Sequence, residues 1–124
     1  MGRTINKIIL VGNVGGDPEV RETKNGTKVV HMSMATHRPP YGDDPQERTD
    51  WHRLTLWARL AQFTEDYIKK GDRIYVEGRL EYDTSERDGV SIPTADVNVR
   101  ELVLLSLSNE AVDVEEAEAA GAAA

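Results

Sequence analysis

The chain contains no cysteine, which excludes disulfide bonds, thiolate metal sites and a cysteine nucleophile, and fits a cytoplasmic setting. Histidine is scarce: His31, His37 and His52 are too few and too scattered to suggest a zinc site, and nothing calls for another metal or a cofactor. No apolar run approaches the roughly 18 residues of a membrane span. Met1-Gly2-Arg3-Thr4 leads straight into a strand-like pattern, so no cleaved signal peptide and no membrane partner are expected. An excess of positive charge is also missing. The net charge is −7, which argues against a phosphate-rich partner until its distribution is considered. Residues 108–124 carry five acids and no base, leaving 15 bases against 17 acids in residues 1–107. A near-neutral body can still carry a basic groove.

With 124 residues, the chain suits one domain of about 100–150 residues plus a tail. The apolar share of 39% supports a modest core. Residues 5–14 are β-branched and apolar and run into Gly15-Gly16-Asp17-Pro18, a strand followed by a turn. A short extended piece, Glu19 to Glu22, and a turn at Asn25-Gly26 precede a second strand from Lys28 to His37, with Val30, Met32 and Met34 on one face. Residues 38–49 read as a long exposed loop. Asp50 to Trp57 alternates as a third strand, and Leu60, Phe63, Thr64, Tyr67 and Ile68 then recur at helical spacing until Gly71. A fourth strand, Asp72 to Tyr82, a polar loop from Asp83 to Pro93 and a fifth strand, Thr94 to Leu107, complete the domain. The expected organisation is a domain at 1–107 and a disordered, acidic, Ala-rich tail at 108–124. The order β-β-β-α-β-β is that of the all-β OB-fold, a five-stranded Greek-key barrel with one short helix between strands three and four.

Trp51, Arg53, Thr55 and Trp57 alternate along the third strand, so they share a face, with Leu54 and Leu56 opposite. The two indoles are then about 20 Å apart at about 3.3 Å per residue. Large aromatics often belong to the core. The arginine between them marks this face as the wet one, because a charge centred on a strand face faces solvent. Two exposed indoles around a guanidinium form a platform on which unpaired bases can stack. Arg3, Lys7, Arg21, Lys28, Arg38, Arg48, Arg59, Lys69, Lys70, Arg73 and Arg79 could extend it, as could Tyr41 and Tyr82, although each cation alone also reads as a solvated surface charge. Lys69-Lys70, placed in the last helical turn, would also relieve the helix dipole. Gly12-Asn13-Val14-Gly15-Gly16 lacks the Gly-Lys-Ser/Thr of a phosphate loop, and Asp43-Asp44-Pro45-Gln46-Glu47 lacks calcium-loop spacing. No serine-histidine-acid set can be placed, so the chain reads as a non-enzyme.

Several motifs in order resemble those of the bacterial single-stranded DNA-binding proteins, which coat unwound DNA in replication, recombination and repair. They are Asn6-Lys7-Ile8-Ile9-Leu10-Val11-Gly12-Asn13, Asp17-Pro18-Glu19-Val20-Arg21, Thr49-Asp50-Trp51-His52-Arg53 and Lys70-Gly71 with Tyr75-Val76-Glu77-Gly78. By this resemblance Trp51 is a base-stacking residue, and Trp57 stands where the family commonly has a stacking phenylalanine. Tyr41 is the nearest counterpart of a loop tryptophan, and Tyr82 or Ser85 of another. Arg3, Lys7, Arg21, Arg53, Arg59, Lys69 and Lys70 would track phosphates. The family's homotetramers imply a dimer at least, with His52, Tyr75 and the first strand (Asn6, Ile8 and Leu10) at contacts, while Arg73 replaces a common interface glutamine. The family's closing Ile-Pro-Phe, which recruits replication and repair proteins, is not seen; either that role is absent or weak, the reading preferred, or it uses Val112-Asp113-Val114-Glu115-Glu116 instead. A competing reading is an OB-fold protein-interaction module such as a primosome accessory protein. A third, the anticodon-type OB domain of an enzyme subunit, would require an accompanying catalytic domain.

Overall fold

The computed structural model describes residues 2–43 and 45–106, so the expected disordered tail and the domain boundary at 107 lie outside the described residues. Six strands and one helix follow in order: β1 (Ile8–Val14), β2 (Glu19–Glu22), β3 (Lys28–Arg38), β4 (Arg48–Trp57), α1 (Arg59–Tyr67), β5 (Arg73–Arg87) and β6 (Val90–Ser106). The sheet order is β1-β5-β6-β4-β3-β2, and an additional β1–β3 pairing closes it. Five strands thus form the ring, with β2 appended to the edge of β3 through the Glu19↔His31 to Glu22↔Lys28 pairs. All ring pairings are antiparallel except β4–β6, where Arg53, Leu54 and Thr55 run parallel to Asp96, Val97 and Asn98. This is the OB-fold barrel, with its helix between the third and fourth ring strands.

Period-two burial drives the closure. Val30, Met32 and Met34 of β3, Leu54 and Leu56 of β4, Ile74 and Val76 of β5, and Val97 and Val99 of β6 all point into one core. The helix covers one end, with Ala61 and Thr64 buried and Leu60 and Phe63 packed beside them. Thr64 is satisfied there by donating its hydroxyl to the Leu60 carbonyl at 2.9 Å. The turn after α1 is stitched to the end of β1: Gly71 N–H donates to Val14 O at 2.8 Å, and Val14 N–H to Asp72 O at 2.9 Å. Gly71 has φ 92°, a conformation that favours glycine. The buried Asp72 carboxylate accepts the Lys69 N–H at 2.8 Å.

The first strand begins at Ile8 and not at residue 5, β4 begins at Arg48 and not at Asp50, and two larger differences from the sequence reading bear on the site. The segment 83–93 is a β-ribbon and not a loop: β5 and β6 pair from Asp83↔Thr94 to Arg87↔Val90. Asp88 (φ 52°) and Gly89 (φ 78°) make its two-residue turn, matching the twist of the flanking strands. A two-stranded ribbon tolerates Pro93 because a ladder N–H is needed only at alternate residues. The helix ends at Tyr67, with Ile68 already extended, so Lys69 and Lys70 follow the helix and do not occupy its last turn.

Two glycines allow strands to cross closely. A Cβ on Gly12 would lie 2.1 Å from the Ala35 carbonyl oxygen, and one on Gly78 would lie 2.2 Å from that of Asn98. Neither carbonyl can move without breaking the sheet. Gly12→Ala and Gly78→Ala should each cost about 1–3 kcal/mol, read as a lowered urea midpoint at unchanged slope.

Candidate nucleic-acid interface

The platform lies on the outer face of β4. Leu54 and Leu56 are 1% and 0% exposed, whereas Trp51 and Trp57 are 62% and 43% exposed. Burying the two leucines forces Trp51, Arg53, Thr55 and Trp57 outward together. Their cross-strand neighbours on β3 are Ala35, Ser33, His31 and Val29, in that order, so small and polar side chains separate the indoles. Gly15 lies under Trp51, where a Cβ would come 2.3 Å from the ring. Between the two tryptophans a shallow groove of about 270 Å³ runs past His31, Ser33, Arg53 and Thr55, with Asp17, Glu19 and Asp96 on its walls.

Carboxylates engage most of the cations near this face. Arg53 Nε lies 3.1 Å from Asp96 Oδ1, a buried oxygen that has no hydrogen-bond partner among the described residues. Arg38 binds Asp50 through two hydrogen bonds of 2.9 Å. Arg21 pairs with Glu19, Arg79 with Glu81 at 3.0 Å and Lys7 with Glu77 at 3.2 Å. The exposed pairs among these, Arg38–Asp50, Arg21–Glu19 and Arg79–Glu81, are worth only about 0–1 kcal/mol each, so an arriving phosphate can replace the carboxylate.

The loop aromatic Tyr41 is 90% exposed. It shares a cavity of about 480 Å³ with Arg38, Pro39, Gln46 and Arg48, off the Trp51 end of β4. Arg59 opens the helix beyond the Trp57 end. The Lys70 N–H lies 3.5 Å from Asp17, which ties the Lys69-Lys70 turn to the groove wall. Arg3 is exposed on the segment before β1.

Several expected residues are placed elsewhere. Tyr82 is 77% exposed, but it alternates with Glu81, which pairs with Asp96 on the platform face, and therefore leaves the opposite face of the ribbon. Ser85 has the platform parity. Lys28 reaches the helix, where its ammonium donates to Gln62 at 2.8 Å and to Glu65. The hydrogen bond to Glu65 raises its pKa above the ordinary lysine value, against a smaller lowering from burial.

The residues expected at subunit contacts are placed as follows. Ile8 and Leu10 pack against the core, and the outward side chains of β1 are Ile9 (53% exposed) and Val11 (42%). Val11 pairs with Tyr75, which pairs with Val103 (42% exposed), giving an apolar row on the far side of the barrel from the platform. Burial first, and then the Glu77 carboxylate, raise the Tyr75 pKa above the ordinary tyrosine value. His52 shares the inner parity of Leu54 and bonds Thr36 Oγ1 at 2.8 Å. Asn6 is engaged within the chain: its amide donates to Leu80 O at 2.7 Å and its oxygen accepts from Leu80 N–H at 3.0 Å. Asn13 Oδ1 accepts from Arg73 at 3.3 Å. Among the described residues no group of His and carboxylate side chains could hold a metal ion. No described helix is long and apolar enough to cross a membrane.

Comparison with known proteins agrees with this geometry. The model of the single-strand binding protein family matches residues 5–105. A single-stranded DNA-binding protein of Xanthomonas axonopodis pv. citri is 40% identical over 108 residues, covering 85% of this chain and 60% of that protein. Single-stranded DNA-binding protein 1 of Chlorobaculum tepidum is 45% identical over 83 residues, covering 65% of this chain and 51% of that protein. The chain thus spans between half and two thirds of the length of these curated relatives. A solved Plasmodium falciparum SSB complex with ssDNA superposes with a TM-score of 0.80 at 26% identity, over 86% of this chain and 99% of that one.

The contact between Gly15 and Trp51 gives a direct test. Gly15→Ala should leave stability within about 1 kcal/mol, because the exposed ring and the Ser33 hydroxyl, 2.8 Å from that Cβ, are side-chain groups that can move aside, while changing the Trp51 contribution to near-ultraviolet circular dichroism and fluorescence.

Proposed function

The chain belongs to the single-strand binding protein family, and from that premise we propose that it binds single-stranded DNA without sequence preference, as a coating and protecting protein and not an enzyme. The observation that carries this reading is the exposure of Trp51 and Trp57 on one strand face with Arg53 between them, above two fully buried leucines. Bases stack on the indoles, each stack being worth about 1–3 kcal/mol whatever the base. Phosphates take the guanidiniums of Arg53, Arg21 and Arg38 from their carboxylate partners. Lys69, Lys70, Arg59 and Arg3 border the path, and Tyr41 supplies a further stacking surface at the Trp51 end. The residues of the barrel, 1–107, form the DNA-binding unit, with 108–124 as an acidic appendage.

In this reading the protein works in the cytoplasm on DNA unwound for replication, recombination and repair. It assembles as a dimer at least, and as a homotetramer in the family's manner. The apolar row of Ile9, Val11, Tyr75 and Val103 supports self-association, since exposed β-branched side chains in line on a strand face gain by being covered. Replacing Ile9 and Val11 with aspartate should lower the mass in sedimentation or light scattering while the far-ultraviolet spectrum is retained. A mass already that of one chain in the unaltered protein would remove the self-association proposal.

Titration of intrinsic fluorescence with a long oligo-dT, beside duplex DNA of equal length, tests the stacking itself. Quenching by the single strand alone, weakening with salt, is expected. Trp51→Ala should lose about 1–3 kcal/mol of affinity with little loss of stability. Absence of quenching at low salt would overturn the DNA reading in favour of a protein-interaction module.

A further inference from the structure

Closure of the ring leaves β2 at a sheet edge. That strand pairs with β3 and with no other described strand, and all four of its residues are exposed. A free edge offers unpaired N–H and C=O groups to an extended segment that fits it. Which groups are offered follows from the hairpin. Thr23 N–H donates to Thr27 O at 2.8 Å, so Thr23↔Thr27 is a hydrogen-bonded pair. Such pairs alternate along an antiparallel ladder, which puts Arg21↔Val29 and Glu19↔His31 in the same class. Val20 and Glu22 therefore turn their N–H and C=O away from β3, toward the free side. The side chains follow the faces of β3. Val20 lies opposite the buried Val30, on the inner side of the sheet, yet is 38% exposed at the rim. Glu19 and Arg21 lie opposite His31 and Val29, which lie opposite Thr55 and Trp57, so both belong to the platform face.

The segment that matches this edge is the same edge of a second copy. A two-fold antiparallel pairing centred on Val20 sets Val20 against Val20 as a hydrogen-bonded pair, and sets Glu19 and Arg21 against Arg21 and Glu19 of the second copy. Opposite charges then meet on one face and two exposed valines on the other. Other registers are rejected. Centring on Arg21 opposes two arginines, and centring on Glu19 or Glu22 opposes two glutamates. Centring between two residues pairs an outward-facing backbone with an inward-facing one and forms no ladder. Pro18, opposite Glu22 of the second copy, has no N–H and ends the edge, so the contact stays short. A short contact is weak between free molecules and gains when both are held on one polymer.

We propose that the β2 edge is a self-complementary strand-pairing surface, through which copies held on one single DNA strand join by a two-fold contact centred on Val20. The platforms of the two copies then share one face of a continuous sheet, their β4 strands five spacings of about 4.8 Å, roughly 24 Å, apart. The contact uses none of the side chains of the Ile9, Val11, Tyr75 and Val103 row, so the two do not compete. The proposal rests on the reading of the chain as a binder of single-stranded DNA.

Because the chain lacks cysteine, a single introduced thiol reports the register. In the proposed pairing the Cα atoms of the two residues 20 are about 5.5 Å apart, within the span of a disulfide, whereas those of the two residues 22 are about 14 Å apart. Full-length Val20→Cys and Glu22→Cys are oxidised mildly at equal concentration, with and without long oligo-dT, and linked chains are resolved on a denaturing gel. With the oligonucleotide, Val20→Cys should link at least about tenfold faster than Glu22→Cys, and faster than it does alone. Val20→Pro removes the central outward N–H while keeping the β2–β3 ladder. It should still be quenched by oligo-dT, but at limiting protein it should spread evenly over long strands, where the unaltered protein leaves coated and bare strands side by side. Equal linkage at the two positions, no linkage at residue 20, or unchanged clustering of Val20→Pro would each overturn the edge contact while the platform stands. Failure of the unaltered protein to be quenched by oligo-dT would overturn the DNA reading and, with it, joining on the strand.

Discussion

Burial of Leu54 and Leu56 is the constraint on which the rest of the molecule depends. These two side chains lie at the centre of the core, where Met34, Val30, Ile74 and Val76 enclose them. A strand allows one face per parity, and a slip by one residue would bury two indoles and a guanidinium while exposing both leucines. Each leucine is worth roughly 1.5–3 kcal/mol when buried, and an unpaired guanidinium in the core would cost several more. The stability of the barrel and the exposure of the platform therefore have the same cause. The stacking surface adds no separate structural requirement beyond Gly15, which leaves the Trp51 ring its room.

The strands whose two faces differ in polarity were legible for that reason. Alternation is clear in β4 and in the middle of β3, where His31 and Ser33 interleave with Val30, Met32 and Met34, and His52, Arg53 and Thr55 flank Leu54 and Leu56. In β1 the run Ile8-Ile9-Leu10-Val11 is apolar at every position, so parity is invisible in the sequence; only the pairing with β5 reveals that Ile9 and Val11 face out. The ribbon beyond Tyr82 was hidden for the opposite reason. A two-stranded ribbon without a core beneath it buries nothing, so its residues stay polar on both faces and read as a loop. Its signal was the Asp88-Gly89 pair, which supplies two residues of positive φ.

Charge is organised on the same principle of local pairing. A net charge of −7 is a poor match for a polyanion, yet the paired cations of the platform face already hold anionic oxygens, Arg38 that of Asp50 and Arg53 that of Asp96. At Arg38, exchange of one oxyanion for another conserves the hydrogen bonds of the guanidinium, which are charge-assisted in both states. In the proposed mode, phosphate binding there releases the Asp50 carboxylate to water more than it creates a new ion pair. The electrostatic gain per contact is then smaller than at a free cation, and base stacking supplies the larger share of affinity on the platform. In that division the indoles of Trp51 and Trp57 take bases, and the cations between and beside them take the phosphates that follow.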